Sequence, residues 1–114
     1  MYNQTERILT WQPRGRKGAY ISAKNYQLLR DFILQVLKTR EITLKELIDI
    51  AEVRLALEIE KDISWHILMV KLDLEARGLI GTVVKWAPYK EQLLKLNARK
   101  LKKFNALPRT SMIF

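Results

Sequence analysis

Between Ile63 and Val84 the chain changes its apolar repeat, and the change falls on Gly78. Before the glycine, apolar residues recur at helical spacing; after it, residues 79–84 read as a strand. The spacing predicts a helix capped by Asp62 or Ser64 and running to Arg77. Gly78 is then its C′ residue, where glycine enters the left-handed region at least cost. Residues 85–89 read as a turn, because Pro88 forbids a continued ladder. Residues 90–96 are the returning strand of a hairpin, or else they open a basic helix over 90–104 with Leu94, Ala98, Leu101 and Phe104 on one side.

Upstream, Ser22 offers an N-cap to a helix over 23–39, whose apolar face is Tyr26, Leu29, Ile33, Val36 and Leu37. Residues 40–43 form a short break that can hold a two- or three-residue strand. Thr43 and Glu46 form a capping box, and a second helix follows over 44–57 with Leu44, Leu47, Ile48, Ala51 and Leu55 buried. Leu55, Leu57 and Ile59 alternate as a strand would, which blurs its end. Residues 11–20 hold one proline and two glycines and read as turn chemistry rather than an element. The order is helix, short strand, helix, helix, strand, turn, strand. That is a mainly α chain with a small β-hairpin (α+β), in the order of a winged helix-turn-helix: three helices plus a wing. The predicted organisation is a basic N-terminal arm over 1–21, the winged-helix domain over 22–96 and a basic C-terminal tail over 97–114.

The run from Leu74 to Ile80 resembles the junction of recognition helix and wing in many bacterial winged-helix regulators. There too an apolar residue lies four before the glycine and two follow it. A wider set is similar to a small family of uncharacterised bacterial winged-helix proteins. It comprises residues 13–18, then Ile21, Tyr26, Arg30 and Ile33, then Ser64, Trp65 and residues 70–78, and it covers most of residues 8–80. The resemblance implies the fold and assigns no function. Through the regulator-like alignment it also implies that Ile67, Val70 and Leu74 face the core.

Charge narrows the partner. The net charge of +9 is unevenly spread. Residues 1–24 carry five Lys/Arg against one Glu, residues 25–84 eight against ten Asp/Glu, and residues 85–114 eight against one Glu. Two basic flanks around a slightly acidic middle suit a polyanion, meaning nucleic acid or an anionic surface. The absence of cysteine excludes disulfides, zinc fingers and thiol nucleophiles, and the single histidine, His66, cannot anchor a metal cluster. The carboxylates are scattered over helix surfaces, so no catalytic site, cofactor or metal is expected. No segment is long and apolar enough to span a membrane and the first residues lack a signal peptide's apolar core, so the default address is the cytoplasm.

The third helix carries a second apolar stripe, Trp65, Leu68, Met69, Leu72 and Ala76, opposite the first. Base edges are read by Arg, Lys, Asn, Gln, Ser or Thr, and this stripe offers none of them, with Asp73 beside it to repel phosphate. It is covered by the chain's own ends, with Leu101, Phe104, Leu107, Ile113 and Phe114 available in the tail. Alternatively it is a homodimer or partner interface made by Trp65, Leu68, Met69 and Leu72, or it reads DNA. The candidate nucleic-acid contacts are Arg14, Arg16 and Lys17 in the arm, Lys71 on the third helix, Lys85 and Lys90 at the wing turn, and Arg99 and Lys100 in the tail. All act as phosphate contacts, which position a polyanion without specifying its sequence.

Overall fold

The helices begin where a side chain can replace a missing backbone partner. The computed structural model describes residues 6–59 and 61–100. Among them, Ser22 Oγ accepts from Asn25 N at 3.1 Å and opens α1 (Ala23–Thr39). Thr43 Oγ1 accepts from Glu46 N at 3.1 Å, while Thr43 N donates to Glu46 Oε1 at 3.0 Å, and this reciprocal box opens α2 (Leu44–Arg54). The same backbone hydrogen bond, given by Thr43, holds the Glu46 carboxyl below the usual range. α3 (Ile63–Ala76) starts differently: Asp62 is left-handed, with φ 45, and its side chain caps nothing. Its carbonyl accepts from His66 N at 3.0 Å.

α3 ends as the glycine requires. Gly78 has φ 78; its N–H donates to the Glu75 carbonyl at 3.0 Å, and Leu79 N donates to the Leu74 carbonyl at 2.9 Å. These two bonds are the Schellman closure of a helix on a left-handed residue. β3 (Ile80–Lys85) follows at once and pairs antiparallel with β4 (Glu91–Leu96), from Ile80 opposite Leu96 to Lys85 opposite Glu91. Residues 91–96 are therefore the returning strand and not the opening of a basic helix. Ile42 bridges Leu94, with N···O distances of 3.3 and 2.7 Å, so the break between α1 and α2 contributes one rung beside this hairpin.

Two expectations give way. α2 stops at Arg54 rather than 57. Beyond it Leu55 N still bonds the Ala51 carbonyl, Ile59 N bonds the Leu55 carbonyl, and Leu55 and Ile59 are buried. The alternation that mimicked a strand is that of a turn with two apolar anchors.

The larger difference is at the N-terminal end. Over residues 7–22 the chain is a hairpin, not a basic arm: β1 (Arg7–Trp11), a 3-10 turn (Pro13–Gly15) and β2 (Lys17–Ser22). Ile8 pairs with Ile21 and Leu9 with Tyr20, and the register then slips before Trp11 meets Lys17. At the slip Thr10 turns inward, fully buried, and its Oγ1 accepts from Ala19 N at 2.9 Å. Gly18 allows this closeness, because a Cβ there would collide with the Thr10 hydroxyl and carbonyl. Of residues 11–20, read as turn, only 12–16 make the tip; Trp11 and residues 17–20 belong to the strands.

The core joins Leu29 and Ile33 of α1, Leu47 and Ala51 of α2, and Ile67, Val70 and Leu74 of α3, all fully buried, with Ile42, Ile80 and Leu94 closing it from the β3–β4 side. The face expected to point inward on α3 does so. Among the described residues no helix is long and apolar enough to cross a membrane.

Gly18→Ala should lower unfolding free energy by about 1–3 kcal/mol, since the clash is with backbone as well as hydroxyl. Gly81→Ala, where an added Cβ meets nothing within 4 Å, should be neutral or slightly stabilising. Urea denaturation of both variants checks the pair.

Candidate nucleic-acid interface

The N-terminal hairpin is fastened to α3 by one carboxylate. Asp73 is completely buried. Its Oδ1 accepts from the backbone N of Trp11 at 2.8 Å; its Oδ2 accepts from the Tyr26 hydroxyl at 2.5 Å and from Arg77 Nε at 2.8 Å. Three elements thus meet on one side chain: β1, α1 and the last turn of α3. Burial, and then the hydrogen bond to Asp73, push the Tyr26 phenol well above its ordinary 10.0. Burial is the largest influence on Arg77 and works against its charge, but the hydrogen bond to Asp73 and the interactions with Tyr26 and the Asp73 charge together raise the group's pKa overall. A buried carboxylate is tolerable only when its lone pairs are used this fully. Helical geometry put Asp73 on the polar edge of α3, where it would repel phosphate; in the fold it is a docking point, shielded from any ligand.

Docking fixes the basic turn. Arg14, Arg16 and Lys17 are all exposed at the hairpin tip, with Arg14 and Gly15 both left-handed at φ 65 and 72. Trp11 leads into the tip, and the Arg77 guanidinium lies 4.3 Å from its ring centroid, within cation–π range. Between the tip and Ala76 of α3 is an open cleft of about 360 Å³, lined by Trp11, Gln12, Arg14, Arg16 and Lys17. Of the expected phosphate contacts, these three line one cleft together.

The second basic turn joins β3 to β4. Lys85 and Lys90 are exposed there, and Lys90 Nζ lies 5.2 Å from the Trp86 ring centroid. Trp86 and Tyr89 stay largely exposed rather than packing under the hairpin. Arg99 and Lys100 are exposed just beyond β4; Lys100 N donates to Asn97 Oδ1 at 3.2 Å, and its side chain reaches to the Gly78 end of α3. A cation there complements the carbonyl end of the helix. Residues 101–114, including Lys102, Lys103 and the expected apolar cover, lie outside the described residues.

Lys71 does not join the set. Its Nζ is 2.9 Å from Glu75 Oε1, with the two side chains only 16 and 18% exposed, and Thr82 Oγ1 donates to Glu75 Oε2 at 3.3 Å. Its charge is matched by a neighbour one turn away and half-buried between α3 and β3, so it is not a free phosphate contact.

The second apolar stripe of α3 is divided. Met69 is half-buried against the core, with Gln12 Nε2 at 3.9 Å from its Sδ, so the N-terminal hairpin supplies cover on that side. Leu68 and Leu72 are half-buried, and Trp65 remains 40% exposed with its ring edge-on to His66. Among the described residues no three acidic or imidazole groups are placed to hold a metal ion.

The fold and site define a mixed α+β chain with two small antiparallel hairpins, each ending in an exposed basic turn. The chain belongs to a family of unknown function (DUF6958), whose model matches residues 7–89, from the first residue of β1 into the β3–β4 turn. The docked N-terminal hairpin is thus inside the region that defines the family. No curated protein and no solved structure matches the chain.

The Asp73 junction has a pH signature. A phenol whose pKa is raised by folding keeps its proton in the native state after the unfolded chain has lost it. Stability is therefore fully present below about pH 10 and falls as pH rises from there toward the folded value. Tyr26→Phe should cost about 1.5–3 kcal/mol at neutral pH, the range for a hydrogen bond to a charged partner. It should also remove this part of the alkaline decline, which denaturation midpoints of both proteins between neutral pH and about pH 11 would reveal.

Proposed function

We propose that this chain is a winged-helix protein of the bacterial, cytoplasmic type that binds nucleic acid without catalysis, in a transcription-related setting. The element order supports the winged-helix reading: α1, the Ile42 rung, α2, α3, then β3 and β4, with Ile42 beside Leu94 as the short first strand of a three-stranded wing sheet. The observation that carries the functional reading is the Arg14, Arg16 and Lys17 turn, held on α3 by Asp73 instead of trailing as an arm. An ordered basic turn loses less conformational freedom on meeting a phosphate backbone than a loose one.

The grip is electrostatic and indifferent to sequence. Beyond Ser64 and His66 at its start, the open side of α3 offers Trp65 and the half-buried Leu68 and Leu72, with Lys71 committed to Glu75, which is poor chemistry for base edges. Contacts to phosphate come from Arg14, Arg16 and Lys17 on one hairpin, Lys85 and Lys90 on the other, and Arg99 and Lys100 beyond it. In this arrangement α3 is a platform for two basic turns rather than the reading element.

A salt series with generic duplex DNA tests the proposal. Binding should be weak and steep in salt, each phosphate contact adding about 0.9 to the slope of log affinity against log salt. Removing Arg14, Arg16 and Lys17 together should lower the slope by about 2–3 with stability nearly unchanged. No binding at low salt, or a slope unmoved by the triple change, overturns it.

A further inference from the structure

We propose that the cleft at the tip of the N-terminal hairpin is a subsite for one unpaired nucleotide, its base stacked on Trp11 and its phosphates held by Arg14, Arg16 and Lys17. The inference rests on the nucleic-acid reading and deepens it, by naming single strands as the preferred form.

Trp11 is the unusual feature. It is 52% exposed, although a large indole on a strand that packs on a helix would ordinarily turn inward. Its neighbour Thr10 takes the inward place instead, through the slip in the ladder. The residue is nonetheless immobilised twice. Its backbone N–H is bound to Asp73 at 2.8 Å, and the Arg77 guanidinium stands over its ring at 4.3 Å. Arg77 is in turn held by the same carboxylate. The result is a half-exposed indole, with Arg77 over its ring and its backbone tied to a buried carboxylate, beside three cations that line the same cleft.

Base stacking on aromatic side chains within a cationic groove is how single strands are bound without sequence preference. Duplex DNA can offer the rim its phosphates, but its bases are stacked on one another and cannot enter. At about 360 Å³ the cleft lies at the small end of ligand-pocket sizes, which fits one nucleotide and not a longer run. An acidic peptide would satisfy the cations equally well but would leave the indole without a partner, so the aromatic surface favours the base.

Trp11, Trp65 and Trp86 are the three tryptophans, so Trp65→Phe with Trp86→Phe leaves Trp11 as the sole indole reporter. Oligodeoxythymidylate of about ten nucleotides, within the range of single-strand site sizes, should quench that fluorescence on saturation. In the otherwise unaltered chain, Trp11→Ala should weaken binding of this oligonucleotide about tenfold or more, a larger loss than on duplex, and Trp11→Phe should restore most of it. Binding without quenching overturns the subsite, as does an equal loss on duplex and single strand, or equal quenching by polyglutamate. If duplex binds with the expected salt slope and Trp11 stays silent, only the subsite fails. If neither form binds at low salt, the nucleic-acid reading fails with it.

Discussion

Asp73 has no access to water, and a carboxylate in that position must find its hydrogen bonds inside the protein. It finds two of them far away in sequence, on the Trp11 amide 62 residues off and the Tyr26 hydroxyl 47 off, and the third on the Arg77 side chain one helical turn on. Removing the carboxylate would leave an amide, a phenol and a guanidinium short of partners, a loss of the size seen when a buried ion pair is broken, about 3–5 kcal/mol. Most of what distinguishes this chain from a bare three-helix domain with one hairpin follows from satisfying that group. The first hairpin is docked, Trp11 is held outward, and Arg77 is placed over its ring.

The consequence for α3 is a division of its surface. Ile67, Val70 and Leu74 face the core; Met69, Asp73 and Ala76 face the first hairpin; Glu75 is tied to Thr82 of the second. What remains is a strip around Trp65, Leu68 and Leu72. Both hairpin turns carry exposed cations, Arg14, Arg16 and Lys17 on one and Lys85 and Lys90 on the other, whereas Lys71 on α3 is paired with Glu75. If the protein binds nucleic acid as proposed, its specificity is for backbone and strand state, since positioning contacts without base-edge donors carry no sequence information.

Much of the frame was legible. Ser22, the Thr43–Glu46 box and Gly78 each stand where a backbone group lacks a partner, and local chemistry alone marks such positions. The helical stripe of α1 and the inward face of α3 followed from spacing. The first hairpin did not, although β-prone residues lie on both sides of its turn, at Ile8 to Trp11 and Ala19 to Ser22. The basic turn between them reads as solvated, and a two-stranded hairpin has little stability until it packs on something. What it packs on is set by Asp73, whose place on the polar edge of α3 gives no sign of burial, because two of its three partners, Trp11 and Tyr26, lie on other elements. The Lys71–Glu75 pair was hidden for a related reason. The helical spacing was visible, but the half-burial that commits the pair to each other depends on β3. The basic turns were visible as charge; that one of them is fixed in place was not.

Amide hydrogen exchange across residues 7–22, in the wild type and in Asp73→Asn, tests most directly whether this segment is a docked element. A docked hairpin predicts slow exchange at Trp11 and along the β1–β2 ladder, at rates comparable with those of α3, and selective acceleration there in the variant while the α3 interior stays protected. Fast exchange throughout residues 7–22 in the wild type would contradict the account: the segment would then be a loose basic arm, and the Trp11 cleft would have no fixed form.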